Sequence, residues 1–596
     1  MGVRVPGGYG YRELSGVALL PLLLPLMQCG GRSGMYGGES EVTNGGSPRG
    51  GVANGGAVTH RGGTSSGGNA AQGGAWAAVG GANFGGQGVA GTMSDGGAAG
   101  DAGASGAGAS GAGDGGASAG SAGEGAVGGI AGGDSGGVGG ACAGDAAGAQ
   151  CNDAVCGDGF TDLMQEDCDD GNTLDGDTCS STCRVGAVAL ASGDFHTCAL
   201  GANGVLKCWG YNGDCQLGAG STATALGDNP GEMGLALPAV DLGSVGASEV
   251  LVGGMVYNCA LLRNGDVKCW GSGENGVSLS GKRDTRGCDP NGMGDNLSTA
   301  LLGTNAKLTQ LVGGYRHVCG LTESGRVKCW GMNLGGQVGL GDFTGEVDIG
   351  ATPETTGDAL PFVPITGDGA PVARIGGGYA ESCAIFPDGR AKCWGYNVRG
   401  ELGIELSGVN NAFKGRVANE MGDNLPFLKF GAARTPRKIV GGTEHACALM
   451  NDGTVLCWGD GVGDAPGEMG DALTPVPLGT GRTAREISMG RIHQCVILDN
   501  GSVKCWGKSG LGQGDTRERV LPSDLGDNLP PIDLGTGRTA LAISTGFGFS
   551  CALLDNHAVK CWGGNGDGVL GLGDVRSRGD APGEMGDALP PVDLRF

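Results

Sequence analysis

Residues 495–507 read Cys-Val-Ile-Leu-Asp-Asn-Gly-Ser-Val-Lys-Cys-Trp-Gly, two cysteines ten positions apart with Trp506 directly after the second. A three-residue loop at Asp499-Asn500-Gly501 puts Gly501 at the left-handed position of a type I turn with a G1 bulge, where a Cβ would be costly. Pairing then runs outward from Leu498 opposite Ser502 and sets Cys495 opposite Cys505. Counting from the hydrogen-bonded closing pair makes the cysteines a non-hydrogen-bonded pair. Their Cα atoms are expected ~4.5–5.5 Å apart, within disulfide reach.

The unit occurs seven times, as Cys198–Cys208, Cys259–Cys269, Cys319–Cys329, Cys383–Cys393, Cys447–Cys457, Cys495–Cys505 and Cys551–Cys561. Seven of the eight Trp follow the second Cys. Glycine holds the turn position in six copies, and His557 replaces it in the last. Two residues before each second Cys stand Leu206, Val267, Val327, Ala391, Val455, Val503 and Val559. Two after each first Cys stand Leu200, Leu261, Leu321, Ile385, Leu449, Ile497 and Leu553. This alternation marks strands with a buried Cys face. Metal knuckles are the rival explanation of paired cysteines, but CxxC spacing is absent and cross-strand disulfides are expected. Cys215 and Cys288 remain, one in the loop after each of the first two hairpins, and are expected to bridge those loops.

Two further strands complete each unit. One precedes the first Cys, as in Ala540–Gly546, and the other follows a recurring turn, as in Gly526-Asp-Asn-Leu-Pro-Pro-Ile-Asp-Leu534. Four short strands per repeat of about sixty residues describe a β-propeller blade. The domain opens without the Val-Asp-Leu strand and closes on it at Pro591–Leu594, so the last strand is expected to complete the first blade and shut the ring. Units such as Gly193-Asp-Phe-His-Thr-Cys-Ala-Leu200, Gly-x-Val-Lys-Cys-Trp-Gly and Gly336-Gln-Val-Gly339 resemble the RCC1 repeat. That resemblance covers residues 185–596 and implies an all-β, seven-bladed propeller. Relatives of this kind act as a nucleotide exchange factor on chromatin, as a UV-B receptor and as a secreted β-lactamase inhibitor. Propeller faces vary freely, so these activities do not transfer with the fold.

Residues 1–28 read as a signal peptide, with Arg4 and Arg12 before an apolar run from Val17 to Met27 that Pro21 and Pro25 interrupt. Leu26-Met-Gln-Cys29 resembles the bacterial lipobox, in which Cys29 is lipidated, although Gln28 stands where Gly or Ala is usual. Residues 29–140 are a Gly/Ala/Ser-rich linker whose side chains cannot offset a backbone ordering cost of ~1–2 kcal/mol per residue, and a disordered tether is expected. Residues 141–184 form a Cys-rich module: Cys142, Cys151, Cys156, Cys168, Cys179 and Cys183 allow three bridges, whose connectivity stays open. Its Cys156-Gly-Asp-Gly and Glu166-Asp-Cys168-Asp-Asp-Gly-Asn172 runs resemble a repeat of myxobacterial surface proteins. Asp158, Asp169, Asp170, Asp175 and Asp177 are Ca²⁺ candidates by ligand type, but they lack EF-hand spacing and also suit turns. No other cofactor is expected.

The net charge of −24, without clustered Lys or Arg, argues against nucleic acid. The cysteine usage fits an exported chain, at the cell surface or outside the cell, touching membrane only through Cys29. No catalytic constellation stands out. His196, His317, His445 and His493 recur two places before the first Cys but give way there to Tyr257, Glu381 and Phe549, as expected of a structural slot. The turn residues Asp295, Asp358, Asp423, Asp471, Asp527 and Asp587 are expected to cap turns. The expectation is a monomeric, non-enzymatic interaction scaffold for a protein partner. The alternatives are an enzyme-inhibiting propeller or a polysaccharide-binding module or hydrolase.

Overall fold

The computed structural model describes residues 185–596, apart from 305, 342–347, 405–411 and 433. The signal segment, linker and Cys-rich module expected before residue 185 lie outside the described residues, as do Cys29, Asp158, Asp169, Asp170, Asp175 and Asp177.

Seven three-stranded antiparallel units follow one another. Blade 1 comprises Ala187–Ser192, His196–Gly201 and Leu206–Tyr211; blade 2, Ala247–Val252, Tyr257–Leu262 and Val267–Gly271; blade 3, Leu308–Gly313, His317–Thr322 and Val327–Met332. Blade 4 comprises Arg374–Gly377, Glu381–Ile385 and Ala391–Tyr396; blade 5, Pro436–Gly441, His445–Met450 and Val455–Gly459; blade 6, Ala484–Met489, His493–Leu498 and Val503–Gly507. Blade 7 comprises Ala540–Thr545, Phe549–Leu554 and Val559–Gly563. The hairpin register sets each Cys opposite its partner, as in Cys495 opposite Cys505. The turn closes through Leu498 N–H to the Ser502 carbonyl and Gly501 N–H to the Leu498 carbonyl. His557 takes the turn's left-handed backbone at φ 61°. Its position is special in another way, because its Nδ1 and carbonyl oxygen both meet Ala187 of blade 1.

The first strands of successive blades touch one another around the ring, and that of blade 7 touches that of blade 1. The core therefore lies between blades. Cys551, Leu553, Val559 and Cys561 of blade 7 pack on Ala187, Leu190, Ala199 and Trp209 of blade 1. Cys495, Ile497, Val503 and Cys505 of blade 6 meet Ile543, Ala552 and Trp562 of blade 7 in the same way. Both faces of each hairpin are consequently buried, one under its own disulfide and the other under its neighbour's.

The fourth strand lies elsewhere than the Pro-rich segment expected from the sequence. It is a two-residue pairing further along the loop after the Trp, at Ala225–Leu226, Asp348–Ile349 and Phe413–Lys414. In blades 2, 5, 6 and 7 it shrinks to one bridge, such as Gly507 with Arg519. The segment 529–534 instead makes a single backbone bond to its own blade, from Ile532 N–H to the Val503 carbonyl, and crosses to the next. Pro530 and Pro531 have no N–H to give a ladder. The terminal segment follows this rule. Val592 N–H bonds the Val559 carbonyl of blade 7, and the Asp593 carbonyl receives Gly234 N–H beside blade 1. The chain end closes the ring as a crossing link and not as the fourth strand of blade 1.

Candidate functional site

The seven hairpin cysteine pairs are disulfide-bonded, with Cα atoms 4.0–4.1 Å apart. That is closer than the ~4.5 Å of an unlinked pair. Cys215 and Cys288 are joined as well, Cα atoms 5.0 Å apart, tying the loop of blade 1 to that of blade 2.

The remaining recurrent residues hold blade to blade. A lysine stands between the two strand faces of six hairpins, and its ammonium is buried among carbonyl oxygens. Lys268 Nζ donates to the Leu242 carbonyl of the incoming link at 2.9 Å and to the Gly294 carbonyl of its own turn at 2.8 Å. Lys504 and Lys560 repeat the pair on Leu478 with Gly526 and on Leu534 with Gly586. Lys207 completes the ring by donating to Gly234, Leu594 and Arg595 at 2.8, 2.7 and 2.6 Å. Blade 5 has Leu456 here, buried against Leu428, Phe430 and Leu473, so apolar contact replaces the polar clamp. Sequence reasoning passed over this lysine, although a charge repeated on a strand with two buried faces was its signal.

The turn aspartates also serve the neighbouring blade and do not merely cap their own turns. Asp358 Oδ1 accepts from Thr304 N–H at 2.6 Å and Asp587 Oδ1 from Thr536 N–H at 2.9 Å, both on the incoming link. Asp295, Asp423, Asp471 and Asp527 do likewise for Ser244, Gly367, Ala432 and Thr480. The indoles reach the other way. Trp209, Trp270, Trp330, Trp394 and Trp458 donate to loop carbonyls of the preceding blade, at Val569, Gln216, Val277, Gln337 and Glu401, over 2.8–3.0 Å.

The four histidines do not converge. Each Nε2 bonds into the next blade: His196 to Asn258 (2.9 Å), His317 to Ser382 (3.0 Å), His445 to Gln494 (3.1 Å) and His493 to Ser550 (2.8 Å). Tyr257 in the same slot donates to the Gly314 and His317 carbonyls. Among the described residues no group of three or more His, Cys, Asp or Glu is placed to hold a metal. Burial holds the His196 and His493 imidazoles down to about 4 and that of His317 to about 3. Burial, with the nearby Glu401 charge, pushes Glu381 up to about 8; its Oε2 accepts only the Ala380 N–H and its Oε1 has no partner.

These shifts set opposite slopes. A depressed histidine lends stability that is complete above its unfolded value of ~6.5 and is lost as pH falls from there towards 4 and 3. A raised carboxyl lends stability that is complete below its unfolded value and is lost as pH rises through about 8. Glu381→Gln keeps the neutral shape, so it is expected to raise the melting temperature at pH 9 and to leave it almost unchanged at pH 5. Thermal melts of both proteins at the two pH values check this, and equal shifts at both would refute it.

What varies is the loop tip between first and second strands, four residues before each first Cys. Asp194, Met255, Tyr315, Tyr379, Thr443, Arg491 and Phe547 hold it, so these side chains gather at one end of the ring. All but Asp194 are part-exposed. Phe195 meets Phe547 edge-on at 5.7 Å, Arg491 lies 4.4 Å over the Phe547 ring, and Tyr315 contacts Tyr379 at 4.9 Å. Asp194 is fully buried beneath, its carboxyl raised by desolvation and only partly offset by the Arg491 charge. Aromatic and arginine side chains on a rigid rim are the composition of protein-binding hot spots. Only comparison between blades could have found them, because they have no motif.

A ring of seven stapled, sequence-repeated blades defines a repeat β-propeller. The family model "Regulator of chromosome condensation (RCC1) repeat" matches residues 187–216, 308–337, 437–462 and 541–569, which are blades 1, 3, 5 and 7. The chain carries RCC1 repeats and folds as an RCC1-type propeller. It is similar to Protein pim1 of Schizosaccharomyces pombe, 29% identical over 292 residues (47% of this chain, 48% of that protein). It is also similar to the ultraviolet-B receptor UVR8 of Arabidopsis thaliana, 25% identical over 277 residues (46% and 52%). The chain thus spans about half the length of the curated relatives it matches. Among solved structures, Prp20p from Saccharomyces cerevisiae, whose binding to Gsp1p and histones is described, aligns with TM-score 0.46 and 17% identity over 61% of this chain and 81% of that one. Human WBSCR16 aligns with TM-score 0.45 and 19% identity over 60% and 84%.

Proposed function

We propose that this chain is a non-enzymatic interaction propeller, exported and held away from the cell surface on its Gly-rich segment, which binds a protein partner through the loop-tip rim. One observation carries the reading: the recurrent residues are spent on contacts between blades, and a loop-tip position that changes from blade to blade gathers Tyr315, Tyr379, Arg491 and Phe547. A chain with eight disulfides among its described residues belongs in an oxidising compartment, which supports export. Lipidation at Cys29 would supply the anchor, and labelled palmitate incorporated by the wild type but not by Cys29→Ala tests it.

The binding reading is tested by affinity capture on the oxidised full chain from envelope extracts, beside Tyr315→Ala, Arg491→Ala and Phe547→Ala combined. The wild type is expected to retain a defined partner that the triple variant loses, with unchanged melting. A partner held equally by both proteins would place binding elsewhere and overturn the reading.

A further inference from the structure

The loop after the outer strand is organised the same way in four blades. Asn212, Asn333, Asn397 and Asn565 each offer Oδ1 to the backbone N–H of Leu217, Val338, Leu402 or Leu570, at 2.9–3.0 Å. Blade 6 has lost that asparagine. Trp506 lies six residues before Gly512, where Trp209 lies nine before the matching Gly218, and the loop reads Lys508-Ser-Gly-Leu-Gly512. The backbone N–H groups of Ser509, Gly510, Leu511 and Gly512 make no hydrogen bond. Gly510, Gly512 and Gly514 have φ of 71, 70 and 72°, and Leu511 and Gln513 between them do not share that sign. Alternation of this kind turns successive N–H groups towards one side and forms a concavity suited to an anion.

The shortened loop also leaves its mark on the next blade. The loop carbonyl that receives the indole N–H in blades 1 to 5 is out of reach for Trp562, whose Nε1 is buried without a partner directly behind Gly512. The space vacated is a cleft of about 290 Å³ between blades 6 and 7, walled by Leu511, Gly512, Phe547, Arg517, Arg578 and Asp580. That volume sits at the small end of ligand pockets, ~300 Å³ and upward, and suits one ring or one residue. Arg517 stands at the rim with its side chain 66% exposed, against Asp524, and Arg578 pairs with Asp574 at 2.7 Å. Of the carboxylates facing the cleft, Asp515 is engaged by Arg519 through two bonds of 2.8 and 2.9 Å, and Asp580 shares a hydrogen bond with Glu584.

We propose that this cleft is a binding subsite for a carboxylate carried on a single sugar ring or amino-acid residue. One carboxylate oxygen takes the place that the asparagine Oδ1 fills in blades 1, 3, 4 and 7, accepting from the free N–H row of Leu511 and Gly512. The other meets the Arg517 guanidinium, a charge-assisted bond. The inference stands apart from the rim-binding reading, whose residues other than Phe547 it does not use.

Calorimetric titration of the oxidised full chain with galacturonate, N-acetylglycine and galactose tests it. One of the two acids is expected to bind and galactose is not; which acid binds separates a sugar source from a peptide one. Arg517→Ala, at an exposed side chain, is expected to weaken binding ~10-fold, the loss of one charged hydrogen bond. Replacing Lys508–Gly510 with the Met332–Gln337 sequence of blade 3, which has no cysteine, restores the asparagine and is expected to abolish binding with melting retained. The bound acid is expected to slow amide exchange in 508–515. Failure of both acids to bind, equal binding of galactose, or an Arg517→Ala protein of unchanged affinity would each overturn the proposal.

Discussion

Reduction and alkylation of the cysteines is expected to unfold the propeller at room temperature, without denaturant. Each hairpin disulfide closes a loop of ten residues, for which loss of unfolded-state freedom contributes about 2–3 kcal/mol, and the 73-residue loop of Cys215–Cys288 contributes about 4 kcal/mol. Hairpins re-form locally, so the sum overstates the effect, but even half of it matches the whole ~5–15 kcal/mol stability of a typical domain. Packing adds to the loss. The hairpin disulfides lie in the layers between blades, as Cys495–Cys505 lies beneath Ala552 and Trp562, and alkyl groups there have no room. Far- and near-ultraviolet circular dichroism should show both signals collapse together. A reduced, alkylated chain that still melts cooperatively within a few degrees of the oxidised one would show that packing alone carries the fold. Removing one staple, by Cys551→Ala with Cys561→Ala, is expected to lower the midpoint without abolishing the transition.

The hairpins were legible in the sequence because their information is local. A turn glycine, two cysteines and the alternation between them fix register within eleven residues, and no distant partner is needed. The crossing segments were misread for the complementary reason. Ile532 and Leu534 look like part of a strand and are buried like one, yet they sit in the layer between their own blade and the following one, and the two prolines deny them a ladder. Asp527 looked like a turn former for the same reason: its partner Thr480 is 47 residues away. The candidate subsite was invisible because it consists of something missing: blade 6 has a shortened loop without the asparagine that blades 1, 3, 4 and 7 possess. A deletion becomes meaningful only once the structure shows what its counterpart bonds.

The second large effect concerns the chain end. Deleting residues 591–596 is expected to open the ring and leave a chain that associates or fails to fold. Val592 and Leu594 are 6% and 7% exposed, and burying such side chains contributes about 1.5–3 kcal/mol each. Their loss also strips Lys207 of the Leu594 and Arg595 carbonyl acceptors, at a cost of about 1–3 kcal/mol. Blade 1 then holds blade 7 through the Ala187–His557 contacts, Phe547 N–H on the Asp194 carbonyl, the Trp209 indole on the Val569 carbonyl and their packing. Size-exclusion chromatography with light scattering should show a monomer for the full chain and larger species for the truncated one. A truncated monomer with an unchanged denaturation midpoint would show that blade packing alone seals the ring. Lys207→Met separates the two contributions, because it keeps the segment and removes only the clamp. Blade 5 shows that an apolar side chain is tolerated here, but Leu456 has Leu428, Phe430 and Leu473 around it. Lys207 instead faces three carbonyl oxygens that methionine cannot satisfy, so a loss of about 2 kcal/mol is expected without ring opening.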